Sequence, residues 1–212
     1  MSSTASPAEP AAPFRSLSSW FQDFRAQVVR RRIAASIVIF TSVIVADVFL
    51  LGILPRDVFD LTDPFVVLGY ISLAIGLATR SWSAGVLHKV SKLSTDGPYS
   101  LVRNPLYFGS FLMMLGFGLL IDDWWSAPII LVVVGFIYAV QIRSEEKALL
   151  EIFGEQWQQY TATTPRMIPR LRLPTPGGWS LAQWLHNREW EAGVASVLAI
   201  VGLKLWLVVF AK

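Results

Sequence analysis

Long apolar runs are the feature that most limits what this chain can fold into. Residues 105–121 contain no charge, and residues 192–211 contain only Lys204. A helix of about 20 predominantly apolar residues is needed to cross the hydrocarbon core of a bilayer. With 54% hydrophobic and 16% charged residues, the 212-residue chain is also too apolar for a soluble domain. The sequence therefore predicts an all-α membrane protein.

About five segments are apolar and close to the length of a transmembrane helix. They are residues 33–54, a segment that starts at Pro64, and residues 105–121, 129–142 and 192–211. The second is predicted to be short or tilted, because Arg80 follows its apolar part closely. The third and fourth form a tight helical hairpin. Asp47 lies within the first and is explained as readily by a helix contact or the outer interface as by a function.

The spans divide the chain into four predicted parts. Residues 1–32 form a mobile basic cytoplasmic arm, and residues 33–169 form the membrane core, whose motif-bearing segment is 95–169. Residues 170–191 form a loop and a short interfacial helix that Ser180 could cap. Residues 192–212 form the C-terminal transmembrane helix.

The positions of the basic residues predict the orientation. Fifteen of the 18 Lys and Arg residues lie in the arm, in residues 80–103 or in residues 143–188. The intervening loops carry Arg56 beside five aspartates: Asp57, Asp60, Asp63, Asp122 and Asp123. Because cytoplasmic loops are enriched in Lys and Arg, we expect a cytoplasmic N-terminus and an external C-terminus, with Lys204 reaching outward.

The composition excludes several kinds of site. The chain has no cysteine and only two histidines, which rules out thiolate nucleophiles and a three-histidine zinc centre, so no metal is predicted. The net charge of +3 is small, and nucleic acid is not an expected partner. The expected partners are the lipid bilayer and a small amphipathic molecule.

The first group of residues with chemical potential lies in the segment Gly97-Pro98-Tyr99 through Arg103-Asn104-Pro105-Leu106-Tyr107-Phe108-Gly109, where the third span begins. Pro105 suits the first turn of a helix, whose free N–H groups attract anions such as a carboxylate. The alternative is an interfacial helix start with a belt of aromatic residues.

The second group is Arg143, Glu145 and Glu146, where the apolar pattern becomes amphipathic, which predicts a cytoplasmic amphipathic helix after the hairpin. At about 100° per residue, both glutamates flank the apolar face that carries Tyr160. A solvated surface with an Arg143–Glu146 pair is the alternative, and such a pair contributes only tenths of a kcal/mol. A carboxylate close to hydrocarbon instead needs a cation, and Arg103, Arg143 or a cationic ligand could supply it.

Taken together, these motifs resemble the isoprenylcysteine carboxyl methyltransferase and phospholipid methyltransferase superfamily. The resemblance covers residues 95–169 and rests on Gly97-Pro98-Tyr99, Arg103-Asn104-Pro105-Leu106-Tyr107-x-Gly109, the hairpin, Glu145-Glu146, Phe153-Gly154, Tyr160 and Pro169. It implies an S-adenosylmethionine-dependent methyltransferase whose acceptor enters from the bilayer.

The resemblance also implies the site residues. The cofactor would lie between the 97–109 segment and the helix after the hairpin, with Arg143, Glu145 and Glu146 as catalytic residues. The implied cofactor-binding residues are Tyr99, Arg103, Asn104, Pro105, Tyr107, Gly109, Glu145, Glu146 and Tyr160.

Asn104 departs from the pattern of the isoprenylcysteine branch, which has a histidine at this position. Asparagine donates and accepts hydrogen bonds but does not titrate near neutral pH, so the acceptor cannot be copied from either branch. Two other functions stay open: a sterol-reductase-like enzyme that uses NADPH, and a non-catalytic membrane scaffold.

Overall fold

The computed structural model describes residues 42, 52–88, 92–122 and 126–211. The predicted arm 1–32, Asp47 and nearly all of the first predicted span, 33–54, lie outside the described residues. Seven helices follow one another in the described part from residue 52 onward. They are α1 (Pro64–Val86), α2 (Pro98–Leu101), α3 (Pro105–Ile121), α4 (Ser126–Phe153), α5 (Glu155–Thr163), α6 (Leu181–His186) and α7 (Trp190–Phe210).

The apolar helices confirm the prediction of an all-α membrane protein. Helices α1, α4 and α7 are long and apolar enough to cross a bilayer, and α3 is a shorter apolar helix. The second span is not short, because α1 continues past Arg80 to Val86 as one helix of 23 residues. Its first residue is Pro64, and the side chain of Asp63 caps it by accepting a hydrogen bond from the Phe65 N–H.

Helices α1 and α3 pack closely because glycines lie where their backbones meet. A Cβ at Gly116 would lie 2.7 Å from the Gly69 carbonyl oxygen, and a Cβ at Gly76 would lie 2.7 Å from the Gly109 carbonyl oxygen. The two glycines of each helix are seven residues apart, so the close contact repeats after two helical turns. Ser72 adds a hydrogen bond of 2.7 Å to the Leu112 carbonyl oxygen. Small residues of this kind let membrane helices approach each other.

A charged network closes one end of the bundle. The Arg56 guanidinium donates to Asp63 at 2.6 Å, pairs with Asp122 and lies 4.5 Å from the centre of the Phe65 ring. Lys204 of α7 reaches Asp57 at 2.7 Å. Asp57, Asp63 and Asp122, three of the aspartates predicted to lie on one side of the membrane, therefore meet Arg56 or Lys204 at the same end.

The amphipathic stretch after the hairpin is not a separate helix. Helix α4 runs without interruption from Ser126 to Phe153, so the hairpin's second arm and the segment with Glu145 and Glu146 are one element. The helix ends because Gly154 has φ +52°, a conformation that side-chain-bearing residues rarely adopt. Helix α5 then starts at Glu155 in a new direction.

Residues 165–179, which we call the strap, join α5 to the short helix α6. The Leu101 carbonyl oxygen accepts from the Arg170 N–H, and the Gly97 N–H donates to the Thr175 carbonyl oxygen, both at 3.0 Å. Ser180 then caps α6 by accepting from the Gln183 N–H, as predicted. The strap is thus fixed along α2.

Helix α7 is joined to α1 by an ion pair at its start. Arg80 donates to the two carboxylate oxygens of Glu189 at 2.7 and 2.9 Å and to the Ser110 hydroxyl at 2.6 Å. Because Glu189 immediately precedes α7, this pair connects the last helix with the α1–α3 contact.

Candidate active site

Glu146 is the centre of the site, at the end of the bundle opposite Arg56. It is a buried carboxylate with only 8% of its surface exposed. Its Oε2 accepts from the Nε and Nη2 of Arg166 at 3.0 and 2.6 Å. Its Oε1 lies 3.5 Å from the Arg103 Nη1 and 3.4 Å from the Asn104 Nδ2. The carboxylate that the helical projection placed near an apolar face is therefore balanced by two cations.

Asn104 connects the start of α3 with the start of the strap. Besides contacting Glu146, its Nδ2 donates to the Arg166 carbonyl oxygen at 3.1 Å. Its side chain makes no capping hydrogen bond to α3, although it precedes Pro105 at the helix start. The Arg103 N–H also donates to the Pro165 carbonyl oxygen at 2.8 Å. The start of α3 and the start of the strap are therefore held together beside Glu146.

Glu145 forms a second contact between α3 and α4. Its Oε1 accepts from the Tyr107 hydroxyl and from the Gln141 side-chain amide, both at 3.0 Å. The Tyr107 ring packs edge-on against Tyr138 at 4.9 Å between centroids. A carboxylate with an aromatic ring beside it is an arrangement that favours a cation.

Tyr160 of α5 is buried against α2 and donates from its hydroxyl to the Tyr99 carbonyl oxygen at 2.7 Å. Burial raises the pKa of Tyr160, whereas the Arg103 charge lowers it and the Glu146 charge raises it. Tyr160 is therefore a protonated donor that lies within electrostatic reach of both residues.

Two of the residues predicted for the site form no ion pair or hydrogen bond with Glu145 or Glu146. Arg143 is exposed and forms no ion pair with any described residue, so it is not the partner of Glu146. Gly109 is buried in the α1–α3 contact, where a Cβ would lie 2.7 Å from both the Arg80 Cγ and the Gly76 carbonyl oxygen. The absence of a side chain at Gly109 leaves room for the Arg80 side chain. Gly109 therefore has a packing role in the α1–α3 contact and does not contact the carboxylates. Tyr99, Arg103, Asn104, Pro105, Tyr107, Glu145, Glu146 and Tyr160 line the region where α2, α3, α4 and α5 meet.

Sequence reasoning missed Arg166 and Gln141. Arg166 carries no local signal for the site, because it lies 20 residues from Glu146 and beyond the helix that carries this glutamate. Its hydrogen bond with Glu146 raises the pKa of the Arg166 guanidinium. Gln141 lies at i−4 from Glu145, a spacing at which helical side chains meet, and this signal was available in the sequence.

The fold and the site together indicate the class of protein. It is an integral membrane protein with a candidate active site, formed by paired carboxylates at one end of its apolar helices. The family model for phospholipid methyltransferase matches residues 65–156, from the start of α1 into α5. Arg166 lies outside this matched range.

Named relatives extend the comparison. The cobalt-zinc-cadmium resistance protein CzcN of Cupriavidus metallidurans is 30% identical over 206 residues, which cover 96% of this chain and 89% of the relative. The nickel-cobalt-cadmium resistance protein NccN of Alcaligenes xylosoxydans xylosoxydans is 32% identical over 51% of each chain. The protein-S-isoprenylcysteine O-methyltransferase of Schizosaccharomyces pombe is 36% identical over 46% of this chain and 43% of its own. No solved structure matches the chain significantly.

The chain belongs to the isoprenylcysteine carboxyl methyltransferase and phospholipid methyltransferase superfamily, and it is a membrane methyltransferase. The family indicated by the motifs is therefore confirmed. The chain spans most of CzcN, about half of NccN and 43% of the S. pombe enzyme.

Proposed function

We propose that this protein transfers the methyl group of S-adenosylmethionine to an amphipathic acceptor that enters from the bilayer. The observation that carries the proposal is the meeting of Glu145 and Glu146 with Arg103, Asn104 and Tyr107 at one end of the apolar helices. The acceptor class is a lipid, an isoprenoid or another amphipathic molecule.

The residues present fit this methyl donor chemically. S-adenosylmethionine carries two cationic groups, a sulfonium and an ammonium, and one carboxylate. Glu145 and Glu146 complement the cations, and the Tyr107 ring can face a sulfonium. The buried Nε of Arg103 makes no hydrogen bond in the described part of the chain, so this guanidinium retains a donor for the ligand's carboxylate.

The cofactor would supply an electrophilic methyl group, and the protein's task is to bind, align and keep out water. An acceptor that is already a carboxylate or a thiolate needs no general base. A protonated amine must lose a proton first, which Glu145 or Glu146 could accept. Arg143 is exposed at the same end of α4 and is proposed to orient an anionic acceptor.

The test is a calorimetric measurement of cofactor binding to the purified protein in detergent. We expect S-adenosylhomocysteine to bind and NADPH not to bind. Glu146→Gln and Tyr107→Ala should each weaken binding by about tenfold or more. The first removes a charge-assisted contact worth about 1.5–3 kcal/mol, and the second removes the aromatic ring proposed to face the sulfonium.

The matched control is Glu151→Gln, which removes an exposed carboxylate of α4 five residues beyond Glu146. It should bind as the unmodified protein does. Unchanged affinity in both site variants contradicts the site, binding of NADPH instead favours a reductase, and binding of neither cofactor favours a scaffold. A labelled methyl donor added to lipid extracts then identifies the acceptor.

A role in metal resistance is a second proposal, supported by the similarity to CzcN along 96% of this chain. In this proposal the methyl transfer itself contributes to resistance. Cells that express the protein should grow at higher cobalt, zinc or cadmium concentrations than cells that express Glu146→Gln. Equal growth of the two strains contradicts the proposal and leaves the cofactor site untouched.

A further inference from the structure

The two oxygens of Glu146 have different kinds of partner. Oε1 faces Arg103, which is only 13% exposed, and Asn104. In the described part of the chain, Oε2 accepts hydrogen bonds only from Arg166, whose side chain is 48% exposed. One side of the carboxylate is therefore held by an enclosed cation, and the other by a cation that water can reach.

The Arg166 side chain can leave while its backbone stays in place. Its carbonyl oxygen is held by Asn104, and the preceding Pro165 carbonyl oxygen is held by the Arg103 N–H. Rotation about the side-chain bonds would move the guanidinium into solvent without moving the strap. Rotamer changes of exposed side chains are fast, on the order of picoseconds to nanoseconds.

The charges of the site require such a movement when a cation binds. Glu145 and Glu146 are balanced by Arg103 and Arg166, so the site is close to neutral as it stands. A ligand cation that approaches Glu146 meets the like charge of Arg166, and repulsion between like charges in a partly buried site is costly. A neutral ligand meets no such repulsion.

We propose that Arg166 is a placeholder cation, which occupies Glu146 Oε2 in the empty site and is displaced by the sulfonium of the methyl donor. The inference rests on the proposed function and adds a specificity-determining residue to it. The placeholder keeps a buried carboxylate paired between turnovers. It also competes with the positively charged donor but not with the neutral thioether product.

The test compares two ligands that differ in charge. Sinefungin carries an ammonium group where S-adenosylmethionine carries its sulfonium, and S-adenosylhomocysteine is neutral there. Arg166→Gln should increase the affinity for sinefungin by about fivefold or more, a typical coupling between two ligands of one site. The affinity for S-adenosylhomocysteine should change less than twofold.

Arg166→Lys retains the charge and should keep the ratio of the two affinities close to that of the unmodified protein. Arg170→Gln is the matched control, because Arg170 lies in the same strap and pairs with no described carboxylate. It should leave both affinities unchanged. Arg166→Met, which keeps the aliphatic part of the side chain, replaces the glutamine variant if that variant does not fold.

The result that overturns the inference is an equal change in both affinities, since Arg166 would then act on the shape of the site and not through its charge. Failure of the unmodified protein to bind either ligand would instead contradict the proposed function. The two failures are therefore distinguishable.

Discussion

A carboxylate such as Glu146 is stable in a buried position only when its charge is compensated. Removing one partner of a buried ion pair costs about 3–5 kcal/mol, because the remaining charge is left uncompensated. The compensation here comes from Arg103 at the start of α3 and from Arg166 after α5. Apolar residues in place of Glu146 and its arginine partners would fill the same space without burying a charge. The presence of the carboxylate is therefore consistent with a functional role.

Tyr160 gives a prediction at the same scale. Tyr160→Phe removes the hydrogen bond that the buried Tyr160 hydroxyl donates to the Tyr99 carbonyl oxygen. We expect a loss of about 0.5–1.5 kcal/mol in the free energy of unfolding, measured by denaturant titration in mixed micelles. Tyr138→Phe is the control, since the Tyr138 hydroxyl forms no hydrogen bond with the described residues. This variant should lose almost no free energy of unfolding.

The pKa of Tyr160 gives the same variant a pH dependence. Because burial raises this pKa, the native state holds the proton more tightly than the unfolded state, whose tyrosine pKa is about 10. The contribution of the buried Tyr160 hydroxyl to the free energy of unfolding is complete below about pH 10 and is lost as the pH rises further. Tyr160→Phe should therefore lose less stability than the unmodified protein between about pH 10 and pH 11. An identical decline in both proteins would contradict the assignment.

At the scale of elements, the α1–α3 contact determines where the site can form. The glycines allow the two backbones to approach, and Arg80 crosses over Gly109 to reach Glu189. Helix α3 is therefore held against α1, and this contact positions Asn104 and Pro105, at the start of α3, beside α4. The positions of Tyr107 and Arg103 relative to the carboxylates depend on this contact.

Gly116→Ala tests the contact. A Cβ there would lie 2.7 Å from both the Gly69 carbonyl oxygen and the Leu73 Cγ, so the helices must separate. We expect a loss of about 1–3 kcal/mol in stability, typical of overpacking, together with a lower melting temperature in detergent. Gly202→Ala in α7 is the matched control, because its Cβ would meet no atom within 4 Å. A melting temperature that falls equally in both variants would argue against a specific contact.

At the scale of the whole molecule, the two ends of the bundle differ in chemistry. One end carries Arg56, Lys204 and their aspartates, and the other carries the carboxylate site and the strap with its three arginines. The arginines favour the cytoplasmic side by the positive-inside rule. We therefore propose that the site faces the cytoplasm, where S-adenosylmethionine is made.

Reporter fusions test this orientation. Fusions after residues 95 and 175 should report a cytoplasmic position, and fusions after residues 60 and 123 an external one, because basic loops are retained in the cytoplasm. A pair of reporters, one active only outside and one active only inside, supplies the control for expression. A cytoplasmic signal at residue 123 would reverse the orientation.

Much of the site could be predicted from local signals. Pro105 indicated the start of α3, Ser180 indicated the cap of α6, and helical periodicity placed Glu146 near an apolar face. The role of Gly109 was not predictable in this way. In the sequence, a glycine that contacts a ligand cannot be distinguished from one that makes room for the Arg80 side chain. The continuity of α4 was missed because the polarity changes at Arg143 while the helix does not end.

The membrane location, the helical class and the family follow from the amino-acid sequence alone, since apolar run length, charge distribution and motif order are properties of the chain. Which cations compensate Glu146 depends instead on the tertiary structure. Arg143 is three residues away and is exposed, whereas Arg166 is 20 residues away and in contact. The reason is physical: a buried charge is paired by whatever folding brings to it, and the break at Gly154 and the strap's hydrogen bonds to α2 bring Arg166.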